Sequence, residues 1–243
     1  DMIFEVNEIA ADAFRSGRYS NGNETKTADN WLLKCRVPST VTSIGTNAFD
    51  SQIYMASVLI ENGDKPLTLG SALFKTCQRL GTVVLPSRIS ALNYGEMFAN
   101  THRLQNIVIN GNISEGIASN IADMIKTASG SRDTTYDTKV HVIVNDNTYN
   151  LLKAKLKPEA DGSFNTITDG SNPAKTMYLE NIGGGAAAYL GRTNADNKNR
   201  DYINVAAPDN FNNAKLILAK YSSGSEPQQL AVKVIDVSEA LKN

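Results

Sequence analysis

The sequence predicts an α/β repeat solenoid, mostly β-strands joined by short helical turns, followed by a small all-β sandwich-like domain. Three observations carry that prediction. An aliphatic residue is followed by phenylalanine five or six positions later in four places: Ile9 to Phe14, Ile44 to Phe49, Leu69 to Phe74 and Leu92 to Phe98. Behind three of the rings comes an aliphatic triplet spaced three and then two: Met55, Val58 and Ile60; Leu80, Val83 and Leu85; Leu104, Ile107 and Ile109. Phe74 follows Phe49 by 25 residues and Phe98 follows Phe74 by 24, a solenoid period too long for a heptad or a hairpin.

Taken in order, residues 1–157 read as the solenoid with a terminal capping helix, 158–170 as a linker and 171–243 as the small β domain. Phe14 and Phe49 stand 35 apart, so the first repeat holds an insertion, placed in the Gly-, Asn-, Ser- and Thr-rich stretch 16–30 as a surface loop. Gly45 and Gly70 each follow the aliphatic residue, where a turn needs either a positive φ or a close backbone approach. Thr46–Asn47 and Ser71–Ala72 are then expected to form the short helical turn that leads to phenylalanine. Beyond Ile109 the spacing of Ile113, Ile117, Ile121, Met124 and Ile125 predicts a true helix, opened near Ser114 and closed at Gly130. A strand over 140–144 follows, then a helix capped by Asp146 or Asn147 with Tyr149, Leu152 and Leu156 on one face. Pro158 and the run 159–163 end it. From 171 onward, strands are predicted at 176–182, 187–190, 202–206, 215–221 and 230–237, separated by turn-forming residues.

Composition narrows the function. A formal net charge of −1 with scattered Lys and Arg argues against a nucleic-acid partner. No segment approaches the roughly 18 consecutive apolar residues of a membrane span, and residues 1–13 lack the charged and apolar regions of a signal peptide. Because little strand precedes Ile9, the natural chain is expected to extend further toward its N-terminus, and the sequence reads as a mature or trimmed form. Cys35 falls where Val58, Val83 and Ile107 fall, at an inward strand position, and Cys77 sits at the turn before Leu80. Both read as buried small apolar groups, without the neighbours that zinc or redox chemistry needs. His102 lies in a turn and His141 on the outer strand face, and neither belongs to a metal or catalytic motif. The loops 161–169 and 196–201 alternate oxygen-bearing side chains but lack the terminal Glu of a calcium loop, and they read as solvated turns. Gly183 to Gly185 lacks the Lys-Ser/Thr of a phosphate-binding loop. No cofactor, metal or enzymatic activity is expected.

The strand alignment also separates two faces. With Cys35 and Val37, Val58 and Ile60, Val83 and Leu85, Ile107 and Ile109, and Val142 and Val144 pointing inward, two outward columns remain. One is Lys34, Ser57, Thr82, Asn106 and His141; the other is Arg36, Leu59, Val84, Val108 and Ile143. The second holds four aliphatic neighbours on an exposed face. That row is read either as cross-strand pairing or as a contact covered by the C-terminal domain or a partner. A glycan groove is less supported, because neither column contains a Trp or Tyr on which a sugar could stack.

The phrases Val37-Pro-Ser-Thr-Val-Thr-Ser-Ile-Gly-Thr-Asn-Ala-Phe49 and Phe74-Lys-Thr-Cys-Gln-Arg-Leu-Gly-Thr-Val-Val-Leu-Pro86 resemble the repeats of BspA-like leucine-rich-repeat proteins. There a strand ending in Leu-Pro leads to a Val-x-x-Ile-Gly-x-x-Ala-Phe turn and a Cys-x-x-Leu step. The resemblance covers residues 30–110, is partial over 1–29, and returns at 140–156, where Tyr149 matches the tyrosine of a terminal helix. Asn93, which lengthens the fourth phrase, and the helix near 113–127 depart from the pattern, and residues from 171 lie outside it. The resemblance implies a solenoid of leucine-rich-repeat type on a bacterial surface or secreted protein, used in adhesion or recognition of a protein or glycan, with no catalytic residues to carry over. The alternative is a carbohydrate-binding accessory protein whose C-terminal β domain holds the glycan. An enzyme of another type ranks third.

Overall fold

The structure, a computed structural model, describes residues 5–16, 18–21, 24–27, 32–128, 140–165, 176–183, 187–195, 198–206, 215–221 and 229–236. The phenylalanine period organises the first half. β1 (Glu8–Ile9) leads into the Phe14 turn, the hairpin β2 (Arg18–Asn21) and β3 (Glu24–Thr27) follows, and β4 (Lys34–Val37) completes the passage. Three repeats then alternate a short strand, a phenylalanine turn and a longer strand. They are β5 (Ser43–Ile44) to β6 (Ser57–Ile60), β7 (Leu67–Leu69) to β8 (Thr82–Pro86), and β9 (Ile89–Leu92) to β10 (Asn106–Asn110). Helices next replace the turn: α1 (Glu115–Lys126) leads to β11 (Val140–Val144), and α2 (Asp146–Leu156) to β12 (Ser163–Asn165) and β13 (Thr176–Asn181). Two antiparallel hairpins follow, β14 (Ala187–Ala195) with β15 (Lys198–Ala206) and β16 (Lys215–Tyr221) with β17 (Gln229–Asp236).

Because each repeat copies the last, equivalent strands lie side by side in parallel. The short strands form one sheet in the order β1-β5-β7-β9 and the long ones a second in the order β12-β13-β11-β10-β8-β6-β4, where only β12 runs antiparallel. Val58, Ile60, Val83, Leu85, Ile107 and Ile109 from the long strands meet Ile44, Leu69 and Leu92 from the short ones in one continuous core. The four phenylalanines stack along its rim at centroid distances of 5.4, 5.9 and 5.7 Å, with rings 4 to 16° from parallel.

Hydrogen bonds between repeats explain the shape of the turn. Asn47, Phe49 and Ser51 donate their N–H groups to the carbonyls of Ser71, Leu73 and Lys75 in the next repeat, at 2.8 to 3.1 Å. Asp12, Phe14 and Ser16 bond to the Phe49 turn in the same way, and Ala72, Phe74 and Thr76 to the Phe98 turn. The flanking residues two before and two after the ring are left-handed: Asn47 at φ 58° and Ser51 at 63°, Ala72 at 53° and Thr76 at 59°. Left-handed backbone costs a non-glycine residue about 1–2 kcal/mol, which three bonds to the neighbouring repeat offset. A helical turn, the sequence expectation, would fold those N–H groups back onto its own carbonyls. One side chain per repeat adds a further rung: Gln52 Nε2, Cys77 Sγ (3.1 Å) and Thr101 Oγ1 (2.9 Å) donate to the carbonyls of Phe14, Phe49 and Phe74.

Gly45 and Gly70 resolve to the close-approach alternative. A Cβ at Gly45 would lie 2.3 Å from the Ala11 nitrogen, and one at Gly70 2.5 Å from that of Thr46. The expected helix beyond Ile109 forms, with Ser114 at its N-cap position. The second helix is capped not by Asp146 or Asn147 but by Asn145, whose side chain accepts the Thr148 N–H, because Asn145 is the last extended residue before it.

Three further expectations change. The insertion 16–30 contains a hairpin, since Arg18–Asn21 and Glu24–Thr27 pair four residues deep. Thr176–Asn181, grouped by sequence with the C-terminal strands, pairs in parallel with β11, and Ser163–Asn165 in the expected linker pairs with it. The hairpin β14–β15 also runs through positions 194–195 and 198–200, which the sequence assigned to a turn. Gly130, expected to close the first helix, lies outside the described residues.

Candidate functional site

The candidate surface is the outer side of the seven-stranded sheet. Pairing places Lys34 opposite Ser57, Thr82, Asn106 and His141 in turn, and Arg36 opposite Leu59, Val84, Val108 and Ile143. All ten residues singled out from the sequence therefore stand in the two expected columns. β13 extends both, adding Tyr178 beside His141 and Glu180 beside Ile143. Sequence reasoning missed this pair because it assigned the strand elsewhere. The signal was present: Met177 and Leu179 repeat the buried pair two residues apart that marks β6, β8, β10 and β11.

Burial corrects the expectation of a uniformly exposed aliphatic row. Val108 and Ile143 are 1% and 0% exposed, and with Val84 and Ile182 they form a second apolar cluster, separate from the main core. Ile182, just past β13, belongs to this cluster on the side opposite the solenoid interior. Thr82 and Asn106 in the polar column are buried too, and Asn106 Nδ2 donates to Thr82 Oγ1 at 3.2 Å. Accessible side chains remain at the two ends. Toward β4 they are Lys34 and Arg36, with Ser57, Leu59 and Val84 half-buried.

Charge at that end is held in place. The Arg36 guanidinium meets the Glu61 carboxylate, whose second oxygen accepts the Ser39 N–H at 2.9 Å. Arg88 donates to the carbonyls of Glu61 at 3.0 Å and Lys65 at 3.1 Å; burial pushes its guanidinium below the ordinary value, and the Glu61 carboxylate opposes that. Nearby, the Arg79 guanidinium lies 4.7 Å from the centroid of the Tyr54 ring. At the other end His141 stacks on Tyr178 at 5.5 Å and its Nδ1 meets the Glu180 carboxylate.

The thiols do not resemble nucleophiles. Desolvation raises Cys35 to about 11 and pushes Cys77 further up, so both are protonated at neutral pH. Among the described residues no cluster of three or more His, Cys, Asp or Glu side chains is arranged to hold a metal. Asp161 accepts the Ser163 N–H at 2.9 Å, and that bond with the Ser163 side chain lowers its pKa. The second expected oxygen-rich loop, 196–201, has its side chains outside the described residues.

Parallel strands stacked at a fixed period, with a column of outward side chains at each strand position, define a leucine-rich-repeat solenoid. Residues 29–123 match the BspA type leucine rich repeat region in six copies, so over that stretch the chain is similar to BspA-like leucine-rich-repeat proteins. No curated protein and no solved structure matches the chain. No helix among the described residues is long and apolar enough to cross a membrane.

Proposed function

We propose that the chain is a noncatalytic bacterial recognition protein, on the cell surface or secreted, that binds a protein ligand through the β4–β6–β8 end of the outer sheet face. The observation that carries this reading is the contrast along the two columns. Val108, Ile143, Thr82 and Asn106 are sequestered, whereas Lys34 and Arg36 are exposed and Ser57, Leu59 and Val84 half-buried, which sets aliphatic surface beside the Arg36–Glu61 pair. Such a patch suits a partner with an apolar anchor ringed by polar groups. The test is binding of the purified chain to an array of immobilised extracellular proteins, repeated with Leu59→Ser and Arg36→Ala. Loss of capture by both variants, with unchanged unfolding midpoints, is the expected result. Undiminished capture by both would place the binding surface elsewhere.

A second reading, glycan binding, has one observation in its favour: Tyr178, stacked on His141 beside Glu180, supplies the tyrosine that the sequence columns lacked. Retention on polysaccharide columns that Tyr178→Ala abolishes and Leu59→Ser spares would select it. The proposed sandwich of β14 to β17 as a glycan module would instead predict retention insensitive to both changes.

A further inference from the structure

Two Asn-Gly steps stand at the same end of the long strands: Asn62-Gly63 just past β6, and Asn110-Gly111 where β10 closes. Such a step is chemically labile because glycine leaves its amide nitrogen unshielded. That nitrogen attacks the asparagine Cγ and gives up its proton, the Cγ–Nδ2 bond breaks, and ammonia departs from a cyclic imide. Water then opens the ring to aspartate or isoaspartate. Packing requires glycine at both places. A Cβ at Gly63 would lie 2.9 Å from Ser39 Cβ, and one at Gly111, whose φ is 103°, 2.7 Å from Ser87 Oγ.

The two steps are restrained in opposite ways. At Asn62 the side chain is fixed: its Oδ1 accepts the Ser87 N–H at 2.8 Å and the Ser87 hydroxyl at 3.2 Å, and its Nδ2 donates to the Asn110 carbonyl at 2.7 Å. At Asn110 the side chain makes no hydrogen bond among the described residues, and neither does the Gly111 N–H. Both residues are half-buried, which leaves water within reach. Here the peptide plane is the part that is held. Its carbonyl accepts the Asn62 Nδ2 and, at 3.1 Å, the Ser87 N–H that Asn62 Oδ1 also shares. Turning that plane to aim the nitrogen at Cγ swings the carbonyl out of both bonds, and Asn62 supplies the shorter one.

We propose that Asn110-Gly111 is a deamidation site kept shut by the Asn62 amide. An aspartate at 62 would replace the Nδ2 donor with a carboxylate oxygen facing the Asn110 carbonyl, so a first conversion at Asn62 releases a second at Asn110. Isoaspartate at 110 adds one methylene to the main chain at a tied joint. There the Gly111 carbonyl accepts Thr148 Oγ1 at 2.8 Å, and the same hydroxyl accepts the Ile113 N–H at 3.2 Å, linking the approach to α1 with the first turn of α2.

The test ages the full chain in its folded state and follows each asparagine by peptide mapping with isoaspartate detection. In urea both steps should convert readily, and folding should slow both. Asn62→Asp is expected to speed conversion at Asn110 about tenfold, the factor that one net hydrogen bond is worth, and the aged variant should show a falling unfolding midpoint. Phe14→Ala, at the far end of the phenylalanine ladder, controls for global opening and should leave the Asn110 rate near that of the original chain. Equal Asn110 rates in the original chain and in Asn62→Asp would overturn the inference. So would equal acceleration by Phe14→Ala, or an Asn110 rate that folding does not slow. The readouts do not involve the outer sheet surface, so failure here leaves the proposed binding patch to its own test.

Discussion

Truncating a phenylalanine in the middle of the ladder should be far more damaging than truncating the first one, although both belong to the same sequence phrase. Phe74 is 0% exposed and stacks on Phe49 at 5.9 Å and on Phe98 at 5.7 Å. Phe74→Ala forfeits the transfer free energy of a whole buried ring, about 1.5–3 kcal/mol. It also opens a cavity between two rings fixed by backbone ladders on both sides, which brings the expected loss to about 3–5 kcal/mol. Phe14 has one stacking partner at 5.4 Å and is 47% exposed, so its truncation forfeits roughly half the transfer term and encloses no cavity, for about 1–1.5 kcal/mol. Urea unfolding followed by far-ultraviolet circular dichroism, with m-values compared, measures both. Equal losses for Phe14→Ala and Phe74→Ala, or a Phe74→Ala loss below about 1 kcal/mol, would refute the reasoning that stacked repeats share each ring.

Gly70→Ala should destabilise by about 1–3 kcal/mol, because its Cβ would sit 2.5 Å from a backbone nitrogen of the preceding repeat. Gly116→Ala, with nothing within 4 Å of its Cβ, should instead stabilise α1 slightly in the same melts. Thr101→Val should lose about 0.5–1.5 kcal/mol with its bond to the Phe74 carbonyl, while Thr101→Ser retains most of it; similar losses from both would remove the rung from the account. Since Cys35 is raised to about 11 in the folded chain, the folded state holds this proton where the unfolded thiol has released it. Its contribution is therefore complete below the unfolded value and is lost as pH climbs from about 9 through about 11. Cys35→Ala should flatten that stretch of the stability–pH profile, and an unaltered slope would contradict the burial assigned to the thiol.

Pairing register was the most legible part of the fold. Alternation along four- and five-residue strands fixes which side chain faces the core, and the repeat fixes which residue stands opposite which, so Lys34 to His141 and Arg36 to Ile143 could be aligned without coordinates. The short-strand sheet was less legible, because two residues such as Ser43 and Ile44 contain a single alternation and its strands exist only through pairing with the next repeat. The left-handed turn residues were hidden for a related reason. Nothing about Ala72 or Glu96 as residue types favours a positive φ; the bonds to the neighbouring repeat impose it. β13 was misplaced because the stretch between it and the last helix obscured the period, although Met177 and Leu179 preserved the inward pair.

Burial of the outer columns was the least legible feature, and it changes how the surface must be probed. The sequence distinguishes in from out, but a second layer on the outer side depends on residues remote in the chain, such as Ile182 against Val108 and Ile143. Equivalent positions on successive repeats therefore do different work. Leu59 can be altered to test recognition, whereas a polar residue at Val108 or Ile143 would strip a buried apolar contact and leave a desolvated hydroxyl. A binding defect from either substitution would report lost structure rather than a lost contact. Scanning the whole aliphatic row as one surface would confound the two effects, and only the half nearest β4 separates them.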